Sequence, residues 1–121
     1  MFARPLGRGG PPAGGGVTVT ITPALIIGDG LAFTFNWGPI TAAASAGTPP
    51  YTFTGWTLES KTPPEAGHSI ATPANATTSG TLTVPGSGWQ GTLQLRASFT
   101  DAAGGTGFAI ATIDYTNTRT D

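Results

Sequence analysis

The 121-residue sequence contains no cysteine and a single histidine. Without thiols it can build no disulfide scaffold, no thiolate metal site and no cysteine nucleophile. Charge is scarce as well: five Lys and Arg stand against six Asp and Glu, 9% of the chain, where about 25% is usual. One lysine and four scattered arginines give no basic patch for a nucleic-acid backbone. No stretch approaches the roughly 20 consecutive apolar residues of a membrane-spanning helix. Leu, Ile, Val and Phe total 23, so the core must be small. A net charge of −1 nevertheless keeps the chain out of the disordered class. The residues in excess are 22 Thr, 19 Gly and 11 Pro, all of which disfavour helices.

Residues 1–16, MFARPLGRGGPPAGGG, hold six Gly and three Pro and read as an extended arm. The arm has no apolar run long enough for a signal-peptide core, so assembly in the cytoplasm is the expectation. It carries +2 from Arg4 and Arg8, leaving −3 on the other 105 residues (three Lys and Arg minus six Asp and Glu). Fully extended, it reaches roughly 50 Å. Such a segment cannot bury enough surface to order by itself, so it is expected to gain order only against a partner. Phe2 and Leu6 are its apolar anchors, with Arg4 and Arg8 between and after them.

From Val17 the texture becomes that of short strands. VTVTIT (17–22) alternates with period 2, turning Val17, Val19 and Ile21 inward. LAFTFNW (31–37) puts Leu31, Phe33, Phe35 and Trp37 on one face. PYTFTGWTLES (50–60) gives an aromatic strand interrupted at Gly55, a bulge signal, with Trp56 and Leu58 beyond it. A short strand is expected around Ser69–Thr72, and GTLTVP (80–85) buries Leu82 and Val84. TLQLRASF (92–99) buries Leu93, Leu95, Ala97 and Phe99, and DAAGG (101–105) is turn chemistry. GFAIATIDYT (107–116) buries either Phe108 and Ile110 or Ile113 and Tyr115. The expected core is Val19, Ile21, Phe33, Phe35, Phe53, Trp56, Leu82, Leu93, Leu95 and Phe99. About seven strands without a helical window predict a single antiparallel β-sandwich over 17–118, followed by a short tail at 119–121.

GTPPYTFTGWTLES (47–60) resembles the G-x-P-P-Y-x-Y/F-x-W segment of bacterial and phage immunoglobulin-like domains, near the polycystic-kidney-disease-type repeats. LQLRASFTDAAGGTGFAIATIDYT (93–116) resembles their closing hairpin, and together the likeness spans about residues 17–118. It implies an Ig-like sandwich, with Trp56 as the buried strand-C tryptophan and Asp101 as the acid of the last hairpin turn. The W-D-F-G-D-G signature of the true repeats is absent, so the likeness extends to the fold and to no named subfamily.

Residues capable of chemistry are sparse. His68 falls in a Pro/Gly-rich stretch, TPPEAGHS, and reads as a surface loop residue. Ser69 beside it would point the other way along an extended segment, so no triad assembles. Asp29, Glu59, Glu65, Asp101, Asp114 and Asp121 form no D-x-D-x-D calcium pattern; Asp29 and Asp101 read as turn residues. GGTG (104–107) leads into a strand and lacks the helix N-terminus of a phosphate loop. The Asn75-Ala76-Thr77 glycosylation sequon reads as chance. The expectation is therefore no enzyme, no cofactor, no metal, and no nucleic-acid or membrane partner.

What remains is a structural or binding role. The leading expectation is a bacteriophage virion protein carried on other virion proteins through its arm and present in many homo-oligomeric copies. A capsid decoration or minor capsid protein comes first, then a tail, neck or fibre component. A bacterial surface or pilus-like adhesin module follows. A carbohydrate-binding module comes third: of Trp37, Trp56 and Trp89, only Trp89, in GSGWQG, falls outside the core phase. The contact residues expected are Phe2, Arg4, Leu6 and Arg8 in the arm and Trp89 on the surface.

Overall fold

Alternating apolar and Thr or Ser residues give strands with one wet and one dry face, and two such faces must meet to exclude water. The computed structural model describes residues 16–120, which form eight β-strands and no helix. They are β1 (Thr18–Thr22), β2 (Leu25–Gly30), β3 (Thr34–Ser45), β4 (Thr52–Thr62), β5 (Gly67–Ile70), β6 (Thr77–Thr83), β7 (Gln90–Thr100) and β8 (Thr106–Asn117). One sheet has the order β1-β3-β6-β5 and the other β2-β8-β7-β4, stacked as a sandwich.

The dry layer between the sheets follows the period-2 pattern closely in the second half of the chain. Leu93, Leu95, Ala97 and Phe99 of β7 are buried, as are Ile113 and Tyr115 of β8, which settles the register of that strand. Trp37, Ile40, Trp56, Leu82 and Val84 complete the centre, with Val19, Phe35 and Phe53 packed against it. Each large apolar side chain so buried contributes about 1.5–3 kcal/mol of transfer free energy. The Phe35 ring stacks on Tyr115 at 4.8 Å between centroids. The Tyr115 hydroxyl and the Asn117 Nδ2 both donate to the Ala32 carbonyl, tying the β2–β3 link to the end of β8. Gly55 has φ +123° and sits at a register shift in the β4–β7 pairing, so the interruption at this residue is a bulge.

Several expectations change. The sheets are not wholly antiparallel, because β2 runs parallel to β8, pairing Leu25 with Thr112 and Gly30 with Asn117. The chain leaves the first sheet after β1 and joins the second as β2, so two consecutive strands lie on opposite sheets. Phe33 is 43% exposed and Leu31 is 65% exposed. Both precede β3, in the link that crosses the end of the sandwich, where no pleat enforces alternation. Leu58, 43% exposed, lies between two register shifts on the edge strand β4 and drops out of the core layer. His68 is on strand β5 opposite Leu82, not in a loop.

Candidate functional site

The five charged residues on the strands, Asp29, Glu59, Lys61, Arg96 and Asp114, all belong to the second sheet. The first sheet turns threonines outward instead, with hydroxyls bonded across strands: Thr34 to Thr83 and Thr41 to Thr77, each at 3.0 Å. On the second sheet Arg96 bonds Glu59 through Nε at 2.9 Å and lies over the exposed Phe108 ring at 4.1 Å. Such a pair, over a third exposed on both sides, contributes little stability.

The most distinctive surface is the β2 edge. The carbonyls of Ala24 and Gly30 accept from the Thr112 and Thr118 amides at 2.9 and 2.8 Å. In a parallel ladder alternate residues face the partner, so positions 24, 26, 28 and 30 bond to β8. The backbone groups of Leu25, Ile27 and Asp29 therefore face the open side of the sheet. Their side chains also point away from the core: Leu25 is 56% and Ile27 72% exposed, and Asp29 is exposed. Ile26, between them, packs on the core. Beyond the strand, Leu31, Thr118, Arg119 and Thr120 line a shallow depression, and the Arg119 guanidinium sits 5.2 Å from the centre of the Phe33 ring. Trp89, 43% exposed, lies at the same end, where its carbonyl accepts from the Asn117 amide at 2.9 Å. Scattered exposed apolars need no explanation, but these flank one open strand edge and its end of the sandwich, a pattern typical of an interaction surface.

The other end is closed by Asp101. Its Oδ2 accepts from the Thr48 amide at 2.9 Å, and Oδ1 accepts from Ala103 at 3.1 Å and Gly105 at 2.6 Å. These N–H donors, Thr48 foremost, hold the carboxyl below its ordinary range. Asp101 thus fastens the β7–β8 turn to the β3–β4 loop, beside Gly47 and its neighbour Gly16. Its lone pairs serve backbone donors, and Asp29 lies toward the opposite end, so these two carboxylates do not converge. Among the described residues no group of three or more His, Asp or Glu could hold a metal ion. Ser69 bonds Thr81 at 2.8 Å.

A shallow groove of about 500 Å³ opens at the β3 irregularity, lined by Asn36, Gly38, Pro39, Ser69, Ser79 and Thr81 over Trp37. The buried Trp37 Nε1–H finds no acceptor among the described residues. The expected arm contacts Phe2, Arg4, Leu6 and Arg8 lie outside the described residues. Leu25 and Ile27 were not among the expected contacts, because the short apolar run LII (25–27) carries no alternation; Asp29, expected in a turn, lies on strand β2. No known protein family, curated protein or solved structure matches the chain.

Proposed function

We propose that this chain is a non-enzymatic structural module of a bacteriophage particle, most simply a capsid decoration or minor capsid protein, attached through its N-terminal arm. The observation that carries the assembly part of this reading is the open β2 edge, with Leu25 and Ile27 turned to solvent in a chain otherwise poor in exposed charge. The virion part rests on the arm: a Gly/Pro-rich leader with apolar and basic anchors suits a segment that orders on a scaffold.

The strand order supports an Ig-like reading of the sandwich. The order β1-β3-β6-β5 corresponds to A-B-E-D, and β4, β7 and β8 to C, F and G. Strand β2 is then the continuation of the first strand that crosses to the opposite sheet. The burial of Trp56 on β4 supports reading it as the strand-C tryptophan.

An adhesin module would use the same open edge to accept a donor strand. The carbohydrate-binding reading loses two of its three platforms, because Trp37 and Trp56 are only 2% and 3% exposed. The test is to express the full chain with the products of its neighbouring genes and purify particles on a density gradient. Stoichiometric co-sedimentation is expected. A chain that stays at the top of the gradient, or is recovered on the bacterial surface, overturns the virion reading.

A further inference from the structure

Three of the four edge strands offer little to an incoming strand. β4 is broken by two register shifts and carries Glu59 and Lys61, β5 is four residues long, and β1 turns only threonines outward. β2 pairs with β8 without a register shift and, beside the single charge of Asp29, exposes two large apolar side chains. Its open backbone positions, Leu25, Ile27 and Asp29, are also the ones with exposed side chains, and Leu31 continues the series at 65% exposure. Read from the far end, the surface runs apolar, acidic, apolar, apolar: Leu31, Asp29, Ile27, Leu25.

The arm carries a series complementary at three of these four positions. Phe2, Arg4, Leu6 and Arg8 fall at every second position and share one face of an extended chain. Resting on the assembly reading above, we propose that residues 2–8 of a neighbouring copy add to β2 as an antiparallel strand. The register is Phe2 opposite Leu31, Arg4 opposite Asp29, Leu6 opposite Ile27 and Arg8 opposite Leu25. Opposed residues of an antiparallel pair share a face, so the anchors meet the exposed side chains on the outer surface of the second sheet. Arg4 meets a carboxylate there. Pro5 then turns its missing N–H away from β2, where none is needed. A slip of one residue would bring Pro5 into the ladder, and a slip of two would set Arg4 against Leu31 or Ile27.

The donor is a neighbour because of how the chain leaves the domain. The β1–β3 register pairs Thr18 with Ser45, and extrapolation sets Gly16 beside Gly47, where it is found. The chain at Gly16 is still in line with β1 and heads away from β2, which occupies the other half of the sandwich. Pro11 and Pro12 favour continued extension. Each copy thus gives an arm at one end and offers an edge near the other, a heterologous contact that builds rings or open strings.

Because the chain has no cysteine, single cysteines report this pairing without background. A full-length Leu6→Cys copy is mixed with a full-length Ile27→Cys copy under mild oxidation. Directly opposed residues lie about 5.5 Å apart at Cα, within disulfide range. The mixed disulfide is expected to form at least tenfold faster than between Leu6→Cys and Thr20→Cys, whose cysteine sits on the exposed face of β1. Equal rates overturn the proposal. So does a Leu6→Cys/Ile27→Cys double variant that closes its bridge internally and stays monomeric, which assigns the arm to its own edge. Asp29→Arg should slow the cross-link, and Arg4→Glu in the donor should restore it; failure of that rescue overturns the register. Particle loading without the mixed disulfide removes β2 as the receptor and leaves the assembly reading standing. The disulfide without loading does the reverse.

Discussion

Replacing Trp56 by Ala removes the largest side chain at the centre of β4. The indole is 3% exposed and packs edge-on against Phe53 at 5.9 Å. Its Nε1–H donates to the Asn75 carbonyl at 2.8 Å, and the Trp56 amide donates to the Pro73 carbonyl, so the residue also holds the β5–β6 connection. Truncating a buried Trp costs about 3–5 kcal/mol, of which the indole hydrogen bond accounts for about 1 kcal/mol. A domain of this size has about 5–15 kcal/mol in all, so the loss should lower the melting temperature by roughly 15–30 °C. Trp56→Phe keeps most of the volume and loses the hydrogen bond, and should fall by roughly 5–10 °C. Thermal melts followed by far-UV circular dichroism, with urea titrations as a check, measure both. A Trp56→Ala variant that melts within a few degrees of the parent would refute the burial argument. A Trp56→Phe variant as damaged as Trp56→Ala would refute the partition between packing and hydrogen bonding.

Asp101→Ala should destabilise the domain in a pH-dependent way. The folded carboxyl titrates below its unfolded value near 4, so its contribution is complete above that pH and is lost as pH falls through the lowered folded value. Melting curves of parent and variant should be well separated at pH 6 and converge at the acid end; a gap that persists undiminished at low pH would contradict this. Gly80→Ala would place a methyl 1.9 Å from the Ser69 carbonyl and 2.5 Å from the Trp37 ring. It should cost about 1–3 kcal/mol or more by pushing β5 off β6. Gly67→Ala meets only Thr83 at 3.7 Å and should stay within about 0.5 kcal/mol of the parent. Equal melting temperatures for the two glycine variants would refute the close-approach account.

Much of the sandwich is legible in residues 92–99, where strict alternation and burial coincide at Leu93, Leu95, Ala97 and Phe99. The same holds for Ile21, Leu82, Val84 and the Gly55 bulge, because each is fixed by local sequence. The parallel β2 was not legible: its partner β8 is more than 80 residues away, and LII carries no alternation to reveal which residues face out. Phe33 misled because it continues the phase of Phe35 and Trp37 while lying before the strand begins. Strand order, on which the proposed Ig-like reading rests, is encoded by no periodicity. At the candidate site Trp89 stood out in a Gly-rich turn, whereas Leu25 and Ile27 are exposed only through the switch of sheets after Pro23.

The most direct test of the attachment account is deletion of residues 2–12 in the full chain, with melting temperature and particle occupancy measured side by side. The account predicts a melting temperature nearly unchanged and loading abolished or strongly weakened, because the strands begin at Thr18 and the proposed anchors are Phe2, Arg4, Leu6 and Arg8. A truncated chain that loads to full occupancy would contradict it, making the sandwich itself the attachment and the arm a passive leader.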